Sequence, residues 1–136
     1  MTAEIELSNL IRGMKPQLQE GEYVFCSVPN YRVLVDIEPV CIFREVEGFT
    51  LIITKQQAEK FLIPYAFTAA WITLKIHSSL DAVGFTAAIS KQLAMAGISC
   101  NVIAAYYHDH LFVRLSDAHH AIEILTAMAK NEEIEK

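Results

Sequence analysis

From Thr68 onward the spacing of apolar residues changes period again and again, and this constrains the fold more than any other feature. Between Thr68 and Ile76 it alternates, with Ala70, Ile72, Leu74 and Ile76 on one side and Trp71 and Thr73 on the other, the pattern of a strand half buried in a sheet. A polar stretch of Ser, Ser and Asp follows. Phe85, Ile89, Leu93 and Ala96 then recur at helical spacing, and Gly97 stands where a C-terminal cap belongs. Ile98 to Tyr107 reads as a second strand, His108-Asp109-His110 as a turn, and Leu111 to Leu115 as the return strand. Ser116 or Asp117 is placed to cap a last helix that turns Ala118, Ala121, Ile122, Leu125 and Met128 inward. The order strand, helix, strand, strand, helix predicts an α+β chain with an antiparallel sheet and helices on one face.

The first half carries the same elements less regularly. Leu7, Leu10, Ile11 and Met14 predict a short helix that Pro16 brings to an end near Met14. Glu20-Gly21-Glu22 reads as a turn, Tyr23 to Val28 as a strand, and Val33 to Ile37 as an extended segment between Pro29-Asn30 and Pro39. Cys41 to Val46 and Phe49 to Thr54 flank Glu47-Gly48 as a hairpin. Thr54 then caps a helix from Lys55 to about Leu62, which Pro64 closes. Phe49 to Leu62 and Leu111 to Leu125 share one logic: a strand, a hydroxyl cap and a short amphipathic helix. The halves therefore read as two incomplete copies of one βαββαβ unit, completing each other through strand 68–76 or through a partner chain.

Composition narrows the function. Of the 136 residues 53% are hydrophobic and 20% charged, which favours a packed core over disorder. The net charge is -5 and the eleven basic residues form no cluster, whereas nucleic acid demands a concentrated basic face. No nucleic-acid partner is expected. The most apolar stretch, Phe61 to Leu74, is interrupted by Pro64 and falls short of the roughly 20 residues that span a bilayer. The acidic start Met1-Thr-Ala-Glu-Ile-Glu lacks the order of a signal peptide, so a cytoplasmic protein without membrane contact is expected. Cys26, Cys41 and Cys100 are odd in number and widely spaced in apolar runs, as reduced, buried thiols are.

The stretch from Thr68 to Ala129 resembles an ACT domain, the small regulatory module that senses amino acids. The likeness rests on the strand ending Leu74-Lys-Ile-His77, the polar loop Ser78-Ser-Leu-Asp-Ala-Val-Gly84, the helix ending Ala96-Gly-Ile98, and Asn101-Val-Ile103 on the next strand. It is nearest to the paired regulatory ACT domains of aspartate kinases and to small stand-alone tandem-ACT proteins; the first half resembles the partner repeat more weakly. The resemblance implies two ferredoxin-like units, residues 1–66 and 67–136, that share strands or pair as a homodimer. It also implies a regulatory protein that binds an amino acid, with no catalysis of its own. The alternative is a ligand-free ACT module that only mediates oligomerisation or interaction. The chain is too short for a kinase catalytic domain, so phosphoryl transfer is not carried over.

The loop also suits a ligand on physical grounds. A helix N-terminus offers free N–H groups and partial positive charge to a carboxylate. Gly84 permits close approach, Asp81 offers charge to an ammonium, and Ser78 and Ser79 offer hydrogen bonds. Carried over by position from ACT domains, the contacts are Ser79, Leu80, Asp81, Val83, Gly84 and Phe85 from the loop, and Asn101, Val102 and Ile103 from the strand. The plainer alternative makes Asp81 a helix cap, Gly84 a packing residue and Asn101 a partner for edge backbone.

Other chemistries find less support. His77, His108, His110, His119 and His120 are all the histidines; neighbours on a helix diverge by about 100°, and a zinc site wants three or four converging ligands, so no metal is expected. Ser78, Ser79, Asp81 and a histidine form a triad only on paper, without a nucleophile elbow. No glycine-rich phosphate loop occurs, and no cofactor is expected. Trp71 and Tyr106-Tyr107 read as core or interface aromatics.

Overall fold

In the computed structural model, which describes residues 3–134, the strand that opens the second half serves two units. The ends of the two expected domain spans, Met1, Thr2, Glu135 and Lys136, lie outside the described residues. β5 (Phe67–Leu74) gives Phe67–Ala70 to an inner unit, Glu20–Ala70, and Trp71–Leu74 to an outer unit formed by Met1–Gln19 and Trp71–Lys136. Grouped by contacts, the described residues up to Gln19 go with Trp71 onward, whereas the expected spans meet at 66/67.

In the inner unit β2 (Tyr23–Val28), β3 (Cys41–Arg44) and β4 (Phe49–Thr54) precede β5, and the sheet order is β3-β4-β2-β5. The first strand lies between the third and the fourth, which is the ferredoxin-like arrangement. β2 and β4 run antiparallel, from Tyr23 opposite Thr54 to Val28 opposite Phe49. Val24, Cys26, Val28, Leu51 and Ile53 meet Ile37 and Ala58 in the core. α2 (Lys55–Lys60) starts as the sequence predicts, with the Thr54 hydroxyl accepting from the Gln57 N–H. The extended segment expected at Val33–Ile37 is instead a 3-10 helix over Tyr31–Val35, started by Asn30, whose side-chain oxygen accepts from the Arg32 N–H at 3.0 Å. The reason is packing. A strand puts residues 33, 35 and 37 on one side, whereas a helical turn brings Val33, Leu34 and Ile37 to the core and leaves Val35 87% exposed.

The outer unit reaches the same order by another route. β5 is followed by α3 (Phe85–Met95), β6 (Cys100–Ala104), β7 (Asp109–Arg114), a 3-10 turn at Leu115–Asp117 and α4 (Ala118–Ile134). The strand still missing comes from the other end of the chain. α1 (Leu7–Gly13) leads into β1 (Pro16–Leu18), which pairs antiparallel with β5, Pro16 opposite Leu74 and Leu18 opposite Ile72. The order is β1-β5-β7-β6. Ile72, Leu74, Leu111 and Val113 are buried together with Leu10 and Met14 of α1, Phe85, Ile89 and Leu93 of α3, and Ala118, Ala121 and Leu125 of α4. Ala96, expected on the buried stripe, is exposed beyond the helix end.

The hairpin after α3 departs from expectation where it matters for function. The turn is not His108-Asp109-His110. It closes earlier, the Ala105 N–H donating to the His108 carbonyl at 3.1 Å, with Tyr106 and Tyr107 exposed at its tip. Asp109 opens β7 opposite Ala104 and is buried. Two exposed aromatics can sit at a turn when their rings cover each other, here edge to face at 4.9 Å.

Candidate functional site

The connection from β5 to α3 is long and polar, yet it is anchored at three points. The Glu4 N–H donates to the His77 carbonyl at 2.8 Å and the Ser79 N–H to the Glu4 carbonyl at 2.9 Å, a one-residue parallel bridge that ties the N-terminal segment to the loop. The Ser78 hydroxyl donates to Asp109 Oδ2 at 3.0 Å, both side chains being buried. The Ser79 hydroxyl accepts from the Asp81 N–H at 3.1 Å, and the Ala82 N–H returns to the Ser79 carbonyl. Gly84 then enters α3 with φ +95°, a left-handed conformation that favours glycine, and gives the helix no side-chain cap. The first N–H groups of α3 consequently lack an intrahelical or capping partner.

Two cavities flank this loop. The smaller, about 100 Å³, is lined by Ser78, Ser79, Leu80, Ala82, Phe85, Thr86, Ala104 and Asp109. The larger and more open one, about 420 Å³, is lined by Ala3, His77, Ser78, Ser79, Leu80, Asp81 and Tyr106. Of the residues expected from the sequence, Ser79 and Leu80 line both, Phe85 the smaller and Asp81 the larger. Val83 is 83% exposed, and Gly84 shapes the backbone while lining neither cavity. Asn101, Val102 and Ile103 line neither as well. Asn101 and Ile103 stand opposite Phe112 and His110, whereas Val102 stands opposite Leu111 on the other face of the sheet. Alternation therefore divides their side chains between the two faces of the sheet. Asn101 instead donates to the Phe112 carbonyl at 3.4 Å, in keeping with the plainer alternative for that residue. Ala104, one residue beyond the expected trio, is the β6 residue at the cavity.

Ser78 was expected as a hydrogen-bonding residue of the loop; Ala82, Thr86, Ala104 and Asp109 were not expected as lining residues. The available signal was Asp109, a carboxylate two residues before the apolar run Leu111-Phe-Val113; assigning it to a solvated turn hid it. Among the described residues no three His, Cys, Asp or Glu side chains form a group that could hold a metal ion. All three cysteines are free, but Cys41 and Cys100 are only half-buried; burial pushes the Cys100 thiol up to about 11, far from the thiolate form that reacts at neutral pH.

On the sheet face that carries Trp71, a polar network joins β5 and β7 to Gln19, the residue after β1. The Trp71 indole N–H donates to His110 Nδ1 at 2.9 Å, Thr73 Oγ1 lies 3.0 Å from the same nitrogen, and the Gln19 side-chain amide donates to Thr73 Oγ1 at 2.9 Å. An indole N–H only donates, so Nδ1 must hold a lone pair, which assigns His110 as neutral with its proton on Nε2. Burial, with help from His108 and against the pull of Asp109, lowers the His110 pKa below its ordinary value near 6.5. The unfolded chain then binds the extra proton first, so this network's contribution is complete above about pH 6.5 and is lost as pH falls through the lower, folded value. Acidification from pH 7 to 5 is expected to lower the melting temperature and perturb the fluorescence of Trp71, the single tryptophan. His110→Gln should flatten the acid dependence of both readouts; an unchanged dependence in that variant would refute the assignment.

The chain matches the ACT domain twice in sequence, over residues 2–70 and residues 67–127. The chain belongs to the ACT-domain family, as the Thr68–Ala129 motif implied, and it holds two ACT domains in tandem. It is similar to a Vibrio cholerae protein of unknown function, for which transport has been offered as a role: 42% identity, 90% of this chain and 95% of that one covered, TM-score 0.82. The fold is shared with the regulatory subunit of aspartate kinase from Thermus flavus, at 10% identity over 84% of this chain and 96% of that one, TM-score 0.59. It is shared too with aspartate kinase of Clostridium acetobutylicum, at 8% identity and TM-score 0.62, where 88% of this chain covers 34% of the kinase. No curated protein matches. No helix among the described residues is long and apolar enough to cross a membrane.

Proposed function

We propose that the protein is a cytoplasmic regulatory sensor that binds an amino acid in its outer unit and performs no catalysis. The observation that carries this reading is the small cavity under the β5–α3 loop. It is bounded by the uncapped start of α3 at Phe85 and Thr86 and by hydroxyls from Ser78 and Ser79. Free helix N–H groups and the positive end of the helix dipole suit the carboxylate of an amino acid. The larger cavity shares Ser78, Ser79 and Leu80 with the small one, which favours it as the place for the ligand's side chain. Membership of a family of regulatory domains supports the same reading, as does the fold shared with aspartate kinase regulatory subunits. Ligand binding would act on a partner by favouring one of two arrangements of the units or of a homodimer, and the effect is bounded by the difference in affinity for the two states.

The second reading, a ligand-free module that only pairs chains, draws on the exposed Tyr106 and Tyr107 at the hairpin tip, 70% and 61% exposed. Thermal unfolding in the presence of each of the twenty amino acids separates the two. A ligand at 100 times its dissociation constant stabilises by about 2.7 kcal/mol, which moves the transition clearly. No shift with any amino acid at millimolar concentration would contradict the sensor reading and leave the pairing module.

A further inference from the structure

Resting on the sensor reading, we infer that the ammonium group of the bound amino acid is received by Asp109, oriented by Ser78, and not by Asp81. Asp81 has the right charge in the wrong place. Its side chain is exposed and lines only the more open cavity, and its own N–H is taken by the Ser79 hydroxyl. Asp109 is only 6% exposed and lines the small cavity that also contains the start of α3.

The energetics of Asp109 point the same way. An ionised carboxylate has about four acceptor sites, and its one side-chain hydrogen bond among the described residues comes from Ser78 Oγ. The ion pairs among those residues belong to Lys55, with Glu22 and Glu59, so no cationic side chain offsets the burial of Asp109. A buried charge without a cation is expensive to maintain, and a cationic ligand group removes that cost. The cavity therefore has two poles: helix N–H groups at Phe85 and Thr86, and a carboxylate at Asp109. A zwitterion satisfies both at once, carboxylate to helix and ammonium to Asp109. An anion without an ammonium would meet the Asp109 charge unscreened, so the arrangement selects α-amino acids against 2-hydroxy acids of the same shape. Ser78 is the positioning residue. Its hydroxyl holds one carboxylate oxygen and leaves the other for the ligand, and its backbone is fixed by the flanking His77 and Ser79 bonds to Glu4.

The test uses the full chain and isothermal titration with the amino acid that shifts wild-type melting most, beside its 2-hydroxy acid analogue. Asp109→Asn is expected to weaken the amino acid at least tenfold, Asp81→Asn less than twofold, and the 2-hydroxy acid should bind wild type at least tenfold more weakly than the amino acid. Should Asp109→Asn not fold, wild type still decides: the side-chain carboxyl carbon resonance of Asp109 should move on titration with the amino acid while that of Asp81 stays. Loss of binding in Asp81→Asn with Asp109→Asn intact, equal affinity for the 2-hydroxy acid, or a shift at Asp81 alone would each overturn the assignment and leave the sensor reading standing. Wild type that binds no amino acid would instead overturn the sensor reading itself.

Discussion

Leu10→Ala is expected to destabilise the protein by about 2–5 kcal/mol, the range for emptying a fully buried leucine site. Leu10 is 0% exposed and lies on α1, a helix far in sequence from the unit it completes. α1 packs against α3 and α4, and the chain leaving it supplies β1, the fourth strand of the outer sheet. If residues 1–19 are part of the outer unit, the loss is felt there: amide exchange should accelerate in β6, β7 and α4 before β2 and β4. The residue would have been spent on a peripheral helix if the variant lost under about 1 kcal/mol, or if protection fell first within Glu20–Ala70.

The second large effect lies in the inner unit. Gly48 turns the β3–β4 hairpin with φ +147°, and a Cβ there would stand 2.5 Å from the Val28 carbonyl oxygen, a backbone atom that cannot swing aside. Gly48→Ala thus combines a forbidden backbone conformation, about 1–3 kcal/mol, with a collision that is relieved only by moving β2 or the turn. Val28 pairs with Phe49, so the displacement reaches the core strands directly. Gly97→Ala is the control. It has φ +75° and nothing within 4 Å of the added carbon, so it should cost only backbone strain, about 1 kcal/mol. Chemical denaturation that found the two variants equally stable would contradict this account of the hairpin.

Strands and helices with several turns of consistent period, such as β4, β5, α3 and α4, declare themselves, and so do local devices: Thr54 accepting from Gln57, Gly97 after α3. The ACT resemblance of Thr68–Ala129 led directly to the family. β1 was not legible. Three residues beginning with a proline show no period, and its partner Ile72–Leu74 is more than fifty residues away, so only the paired backbone reveals that it adds a fourth strand to the strand, helix, strand, strand, helix run of the second half. The Val33–Ile37 error came from β-branched composition outweighing the positions of Val33, Leu34 and Ile37, which suit a helical turn. The loop was legible as a place, since Ser79, Leu80 and Phe85 line the small cavity. On the strand side, placing the turn at His108–His110 rather than Ala105–His108 put Asp109 in solvent, and the side chains of Asn101, Val102 and Ile103 alternate between two faces and line neither cavity.

The central proposal is that the β5–α3 loop of the outer unit receives an amino acid. Amide chemical shifts of the isotope-labelled chain, followed during titration with the amino acid panel, test it most directly. The account predicts saturable shifts concentrated at Ser78–Thr86, Ala104 and Asp109 for at least one amino acid. Shifts confined to Glu20–Ala70, or no saturable shift with any of the twenty, would contradict it.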